Sequence, residues 1–499
     1  MSGIKNLAGQ TIWYGFSSIA ARFINYLLTP YLTTVLTKAD YGKQGLVYAA
    51  IPLLNVIFTY GFETAYFRFS HREKNEANIY STASISLFIS TIFLGILLWI
   101  FRDQFAMFTG IIDYPTLVQL IIAIIILDTL STMPFARLRQ QARPKKYAFI
   151  RIAGIFLNIG ATIFFLSYCP WVLQKNSHSW VGLFYYTDVN PVVYVVLANV
   201  LQSAFTLLLL ANEIGAIKLE FNTRLWKEMM IYSLPLVVAG MGGMINETFD
   251  RIMLRWWVPG TITYKEEQVG VYNACYKLSI LITLFIQAFR MAAEPFFFKQ
   301  SQGLNPQRTY ARVMKFFVIT VTLMFLVVSL FIPIWRYFIA PKHWEGLGVV
   351  PILLLANIFL GIYYNLSIWY KLGNRTMAGA YITLFGAFVT LLINYLFIPR
   401  FGYMACAWAT LLCYGIMMII SFVWGQKEYK IPYAWKKLVA YIFIVVILFY
   451  LHKGLIFLWP NMVFNLITGG ILLLAYSWFI VQVEKTEFQK MPYVGRFIK

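Results

Sequence analysis

Charge is what this sequence has little of. Asp, Glu, Lys and Arg make up 12% of its 499 residues, against about 25% in an ordinary soluble domain. Acid is the scarcer sign, with 20 Asp and Glu against 41 Lys and Arg. Histidine and cysteine number four each. His71, His178, His343 and His452 are dispersed without ligand spacing, so no metal site is expected. Cys169, Cys275, Cys406 and Cys413 fall within or at the edge of apolar segments, which excludes a disulfide framework and points to small packing residues. No phosphate-binding glycine loop, H-E-x-x-H helix or G-x-S-x-G elbow is present. The longest predicted outer loop, Pro170–Asn190, is too short for a catalytic domain. Its Trp171, Trp180, Tyr185 and Tyr186 read first as interfacial aromatics and second as a sugar-stacking surface. An enzyme is not expected.

What the sequence does have is apolar length. It is 60% hydrophobic, and runs long enough to cross a bilayer recur from end to end. We read about 14 spans, from Ala8–Leu36 to Met462–Val483. The short alternating segments of an outer-membrane barrel are absent. The net charge of +21 does not imply nucleic acid, because most basic residues sit in short loops, where orientation bias and anionic headgroups account for them. The loop carrying Arg137, Arg139, Arg143, Lys145 and Lys146 is one of several basic loops that fall on one side. That side is the cytoplasm if both termini are cytoplasmic. The N-terminus shows no convincing cleavage site, so the first span is read as retained.

Four basic residues lie inside spans instead: Arg22, Arg251, Lys277 and Arg290. A charge at mid-bilayer costs roughly 2.5–3.5 kcal/mol even on lenient scales, so such residues face a cavity, a partner or a ligand. They belong to polar stripes at helical spacing. Span 1 carries Tyr14, Ser18, Arg22, Asn25, Thr29 and Thr33, and span 2 carries Tyr48, Asn55, Thr59 and Glu63. Span 7 carries Asn246, Glu247, Asp250 and Arg251, and span 8 carries Asn273, Lys277, Thr283, Gln287, Arg290 and Glu294. Glu247–Arg251 and Arg290–Glu294 have the i,i+4 spacing of internal ion pairs, so a structural role competes with ligand contact there. Arg22 and Lys277 have no acid within reach on their own spans, although Glu63 or Asp250 could meet them across helices. Asp128, alone in span 4, reads as a hydrogen-bonded structural residue.

A weak internal repeat links these stripes. Asp40-Tyr41-Gly42 opens span 2 with Tyr48 six residues beyond its glycine, and Gln268-Val269-Gly270 opens span 8 with Tyr276 at the same distance. Each follows a long span containing a buried arginine. The expected architecture is therefore all-α: two pseudo-symmetric six-helix lobes (1–212 and 213–425), then residues 426–499 with two C-terminal helices and a cytoplasmic tail. Parallel repeats of this kind place a transporter's substrate site between them. Pro30, Pro52, Pro235 and Pro333 lie inside apolar segments, and Gly240-Met241-Gly242-Gly243 precedes the charges of span 7. Static kinks and gating are the two readings of these breakers.

Four stretches resemble one family. They are Arg22-Phe23-Ile24-Asn25-Tyr26-Leu27-Leu28-Thr29-Pro30 followed by Asp40-Tyr41-Gly42, Gly61-Phe62-Glu63-Thr64-Ala65, Asp250-Arg251-Ile252-Met253-Leu254, and Asn394 to Ala405 with its Ile398-Pro399-x-x-Gly402 turn. Together they resemble the multidrug/oligosaccharidyl-lipid/polysaccharide (MOP) exporter superfamily, and within it the O-antigen (Wzx-type) polysaccharide repeat-unit flippases. The resemblance implies an alternating-access transporter of the bacterial inner membrane. It would move an undecaprenyl-diphosphate-linked oligosaccharide to the outer leaflet, with the sugar in the wet cavity and the tail in lipid.

On that basis Arg22, Arg251, Lys277 and Arg290 are the expected diphosphate contacts, Lys277 foremost. Glu63, Glu247, Asp250 and Glu294 are the expected coupling or gating acids. Asn25, Asn55, Asn246, Asn273 and Gln287 are expected cavity polars. No cofactor is expected beyond a coupling ion, Na⁺ or H⁺. The expected partners are the lipid-linked oligosaccharide, membrane lipids and other polysaccharide-assembly proteins, with no nucleic acid, and the expected state is a monomer. The competing functions are a lipid II flippase, a drug or organic-cation antiporter, and a membrane polymerase or glycosyltransferase.

Overall fold

In a bilayer every backbone N–H and C=O must be satisfied within its own segment, which leaves apolar runs of this length one choice, the α-helix. The computed structural model describes residues 19–489, apart from 21, 71–75, 113, 177–178, 302, 304 and 374. Among them there are helices and turns but no strand. Twelve helices are long and apolar enough to cross a membrane, and a bent pair makes up to 13. These correspond to the spans read from the sequence after the first, most of which lies outside the described residues. Its described remainder is helical over 22–26 and again in α1 (Thr29–Val35).

The helices that build the following spans are α2 (Lys38–Thr59), α3 (Phe62–Ser70), α4 (Glu76–Ile100), α5 (Pro115–Gln140), α6 (Pro144–Ile163) and α7 (Pro191–Leu209). Then come α8 (Thr223–Thr248), α9 (Asp250–Trp257), α10 (Ile262–Gln300), α11 (Pro306–Ser329) and α12 (Val349–Leu366). The last are α13 (Thr376–Phe401), α14 (Tyr403–Glu428), α15 (Trp435–Leu458) and α16 (Met462–Val483).

Two spans read as continuous are interrupted. The second breaks between α2 and α3, which meet at 42°. The break is at Tyr60 (φ 32) and Gly61 (φ 72), a left-handed pair that glycine makes affordable at one of its two positions. The seventh breaks at Phe249, between Glu247 and Asp250, and not at Gly240–Gly243. Those glycines sit within α8, where a Cβ on Gly240 would meet Val56 at 3.0 Å and one on Gly242 would meet Leu384 at 3.2 Å. The role of these two is close helix packing, as small residues serve in membranes, whereas a Cβ on Gly243 would meet nothing within 4 Å. Similarly, the predicted outer loop is partly helical, since the helix beginning at Pro144 continues through a π turn to Lys175.

The repeat motifs read from the sequence meet in space. A Cβ on Gly42 would lie 1.8 Å from the Glu266 carbonyl oxygen, and one on Gly270 would lie 2.0 Å from the Lys38 carbonyl oxygen. Each glycine thus touches the backbone four residues before the other, so α2 and α10 cross at a distance no side chain permits. Threonines cap both helices, Thr37 accepting from Asp40 N at 3.1 Å and Thr261 from Tyr264 N at 3.3 Å, a favoured N-cap arrangement. Around this crossing Lys43 reaches Asp40 at 3.0 Å and Glu266 at 3.8 Å. Asn190 donates to Asp40 at 2.7 Å, and Lys38 pairs with Glu345 at 2.8 Å. At the opposite end α3 packs on α8: Phe62 and Tyr66 share an apolar cluster with Leu225 and Met229, and Arg68 lies 4.1 Å over the Tyr232 ring. The space between these two closures holds the candidate site.

The last two helices dock on α11. Glu484, just past α16, is buried and takes Lys315 at 2.7 Å, Lys437 at 3.0 Å and Tyr441 at 2.6 Å. Tyr476 donates to Thr322 at 2.9 Å.

Candidate functional site

Beyond the glycine crossing, α2 and α10 turn polar faces toward two adjoining cavities. The first, about 560 Å³, is lined by Asn25, Asn55 and Glu63 on one side and by α5, α6 and α7 on the other. The second, about 480 Å³, is lined by Glu247 of α8, Thr283, Gln287 and Arg290 of α10, and Tyr364 and Tyr414. Both fall in the size range of small-molecule sites. Arg22 and Met291 line both cavities. Arg22 donates to the Gln287 side-chain oxygen, and it makes no ion pair among the described residues. The expected alternatives for it, Glu63 and Asp250, are engaged elsewhere.

Arg290, Gln287, Asn25 and Asn55 also occupy the expected cavity positions. Arg290 is partly compensated, with Glu294 at 3.2 Å and its guanidinium 4.9 Å from the Tyr364 ring centre. Glu294 is shared with Lys371 at 2.5 Å, so this cluster of two bases and one acid keeps a positive excess. The anticipated Glu247–Arg251 pair does not form as carboxylate to guanidinium. Arg251 instead takes the Glu247 backbone oxygen at 3.0 Å, which leaves the Glu247 side chain on the cavity wall.

Several expected cavity residues lie elsewhere. Arg251 is 6% exposed and lines neither cavity. It pairs with Asp250 at 2.9 Å, reaches Asn273 at 3.5 Å and lies 4.5 Å from the Tyr276 ring. Asp250 is completed by the Tyr272 hydroxyl at 2.6 Å. Asn246 is buried against α13, donating to Thr383 O at 3.2 Å and accepting from Thr390 at 3.2 Å. These four residues form packing networks, because a desolvated charge or amide is stable only when its bonds are completed within the protein. Lys277 is half-buried, lines neither cavity, and has no hydrogen-bond or ion-pair partner among the described residues. Tyr14 and Ser18 lie outside the described residues.

The first cavity contains groups the sequence reading did not assign. Arg139, counted as a loop residue, pairs with Glu63. Arg151 projects from α6 with its guanidinium 4.4 Å from the Phe135 ring centre and 5.6 Å from that of Tyr147. Asp128 accepts from Ser203 at 2.7 Å, the hydrogen-bonded role expected of it, and it lies on the cavity wall with Asn199, Gln202 and Thr206. The signal was available: Asn199, Gln202, Ser203 and Thr206 recur at three- and four-residue steps along an otherwise apolar span.

Comparison with known proteins places this architecture. The family described as "Polysaccharide biosynthesis protein" matches residues 7–301, more than half of the chain. The chain belongs to that family. A relative in sequence from Haemophilus influenzae, described as an uncharacterized membrane protein, is 21% identical over 367 residues, 70% of this chain and 80% of that one. Among solved structures, the lipid II flippase MurJ in an inward closed conformation aligns with a TM-score of 0.63 at 12% identity, covering 94% of this chain and 99% of that one. An inward-facing MATE family transporter of the MOP superfamily aligns at 0.57 and 15%, covering 86% and 95%. An outward-facing one aligns at 0.58 and 15%, covering 88% and 96%. The polysaccharide biosynthesis family member thus has the MOP transporter fold that the sequence motifs resemble.

Proposed function

We propose that this protein flips an undecaprenyl-diphosphate-linked oligosaccharide from the cytoplasmic to the outer leaflet of the bacterial inner membrane by alternating access, with both termini cytoplasmic. The observation that carries this reading is Arg22. It is a guanidinium at the junction of two cavities, held by a neutral glutamine and left without a carboxylate among the described residues. Arginine meets phosphate oxygens with two parallel hydrogen bonds, and Arg290 supplies a second base in the same cavity. A drug or organic-cation antiporter needs a carboxylate-dominated cavity, and the bases here weigh against it. Of the four candidate coupling acids, Glu63, Asp250 and Glu294 are in ion pairs. Glu247 faces the cavity and is our choice for binding H⁺ or Na⁺.

The test is leaflet accessibility of the lipid-linked oligosaccharide in proteoliposomes, with and without Arg22→Gln. Protein-dependent movement that the substitution abolishes supports the reading. Movement unaffected by the substitution sinks it, and movement of lipid II in place of the oligosaccharide reassigns the substrate.

A further inference from the structure

We propose that the two cavities divide the substrate: the glycan occupies the first, against the wall formed by α5, α6 and α7, and the diphosphate sits at the junction on Arg22. The proposal rests on the flippase reading and adds to it which residues read the sugar.

The chemistry of the two walls differs. In the first cavity, Arg22 aside, the formal charges balance, with the acids Glu63 and Asp128 against the bases Arg139 and Arg151. Glu63 is held by Arg139, Asp128 accepts from Ser203 at 2.7 Å, and Arg151 lies over the Phe135 ring. A wall balanced in this way has little to offer a dianion. What it does present is planar, two-ended hydrogen-bonding groups: the amides of Asn199 and Gln202, the Asp128 carboxylate and the Arg151 guanidinium. Such groups suit neighbouring hydroxyls, since each supplies paired donor or acceptor sites in one plane. Phe135 and Tyr147, both buried, pack against each other and support the Arg151 guanidinium at this wall. The volume of about 560 Å³ is that of a small-molecule site and far larger than an ion requires.

The junction has the opposite character. Arg22 there is uncompensated by acid among the described residues. On the second-cavity side Arg290 and Lys371 share the single carboxylate Glu294. With Glu247 on the same wall, the second cavity's own charges balance, so the positive excess is that of Arg22 at the junction, and hydroxyl-matching groups lie on the far wall of the first cavity. A sugar diphosphate carries its charge and its hydroxyls on adjoining groups, as these adjoining sites require.

The experiment measures binding by the full-length protein in nanodiscs, with two probes: undecaprenyl diphosphate alone, and the same lipid carrying a neutral hexose oligosaccharide. The wild type is expected to bind the glycosylated lipid more tightly. The double substitution Asn199→Ala/Gln202→Ala is expected to remove at least fivefold of that advantage, while binding of the bare lipid stays within twofold. Arg22→Gln is expected to weaken both probes by about the same factor. Asp128→Asn, which keeps the side-chain shape, serves as a second wall variant and is expected to reduce only the glycan-dependent part. No glycan advantage in the wild type, equal losses for the two probes in the wall variants, or no loss in either wall variant overturns the division of the cavities and leaves the flippase reading standing. Failure of the wild type to bind either lipid overturns both.

Discussion

The cavity junction at Arg22 and the buried cluster at Arg251 handle the same side chain in opposite ways. Arg251 is 6% exposed and surrounded by Asp250, Asn273, the Glu247 carbonyl and the Tyr276 ring. Arg22 is exposed to two cavities and meets a single neutral amide. A guanidinium whose charge and hydrogen bonds are completed by the protein has nothing left for a ligand, whereas one left uncompensated at a cavity is available to an anion. The difference separates structural charge from functional charge within one membrane protein.

The largest expected effect tests the structural half of that contrast. Arg251→Gln strands Asp250 in a desolvated site, and breaking a buried pair in this way costs about 3–5 kcal/mol. Thermal unfolding in detergent should show a large loss, and adding Asp250→Asn should recover much of it. A stable Arg251→Gln protein that had lost only transport would erase the distinction. Next in size is Gly270→Ala, which places a methyl group against the Lys38 carbonyl at the α2/α10 crossing. Overpacking of this kind costs about 1–3 kcal/mol, and thiol labelling of a cysteine substituted at Glu266 should rise as the helices separate.

Arg22→Gln tests the functional half. Loss of one charge-assisted hydrogen-bonding partner of about 1.5–3 kcal/mol should lower flipping by roughly ten- to a hundredfold, with the unfolding temperature little changed and Arg22→Lys recovering part of the rate. Lys277→Gln should cost less transport than Arg22→Gln in the same assay, since Lys277 lines neither cavity. Equal losses would return Lys277 to the diphosphate contact.

The smallest effect concerns a compensated charge outside the spans. Burial acts to raise the Glu484 carboxyl pKa, but hydrogen bonds from Lys315, Tyr441 and Lys437 outweigh it and leave the pKa below the ordinary value. A carboxyl depressed on folding stabilises the native state fully above its unfolded pKa, about 4.3 for glutamate. That contribution is lost as pH falls through the lower folded value. Docking of α15 and α16 should therefore weaken on acidification below about pH 4, and Glu484→Gln should flatten that dependence in unfolding curves measured against pH.

Much of this molecule is legible from residue spacing. The apolar runs locate the membrane helices, because a bilayer allows the backbone no other choice. Asp40-Tyr41-Gly42 and Gln268-Val269-Gly270 mark the two helices that cross, and the stripes through Arg22, Asn55 and Gln287 mark cavity walls. Less was legible where a helix carries polar groups on more than one face. Asn246, Asp250 and Asn273 have the same spacing as cavity residues, yet they face neighbouring helices. Arg139 and Arg151 lie near a basic loop, and counting charges for orientation hid their place on the cavity wall.

What the sequence by itself determined was the set of helices, their approximate ends, and which of them carry polar faces, since each follows from local hydrogen bonding and side-chain periodicity. Only the tertiary structure decided which buried charges are compensated. An ion pair such as Arg139–Glu63 or Lys371–Glu294 joins residues 76 or 77 positions apart, and no helical period relates them. Arg22 stands out as available only because packing assigns Glu63 to Arg139 and Asp250 to Arg251.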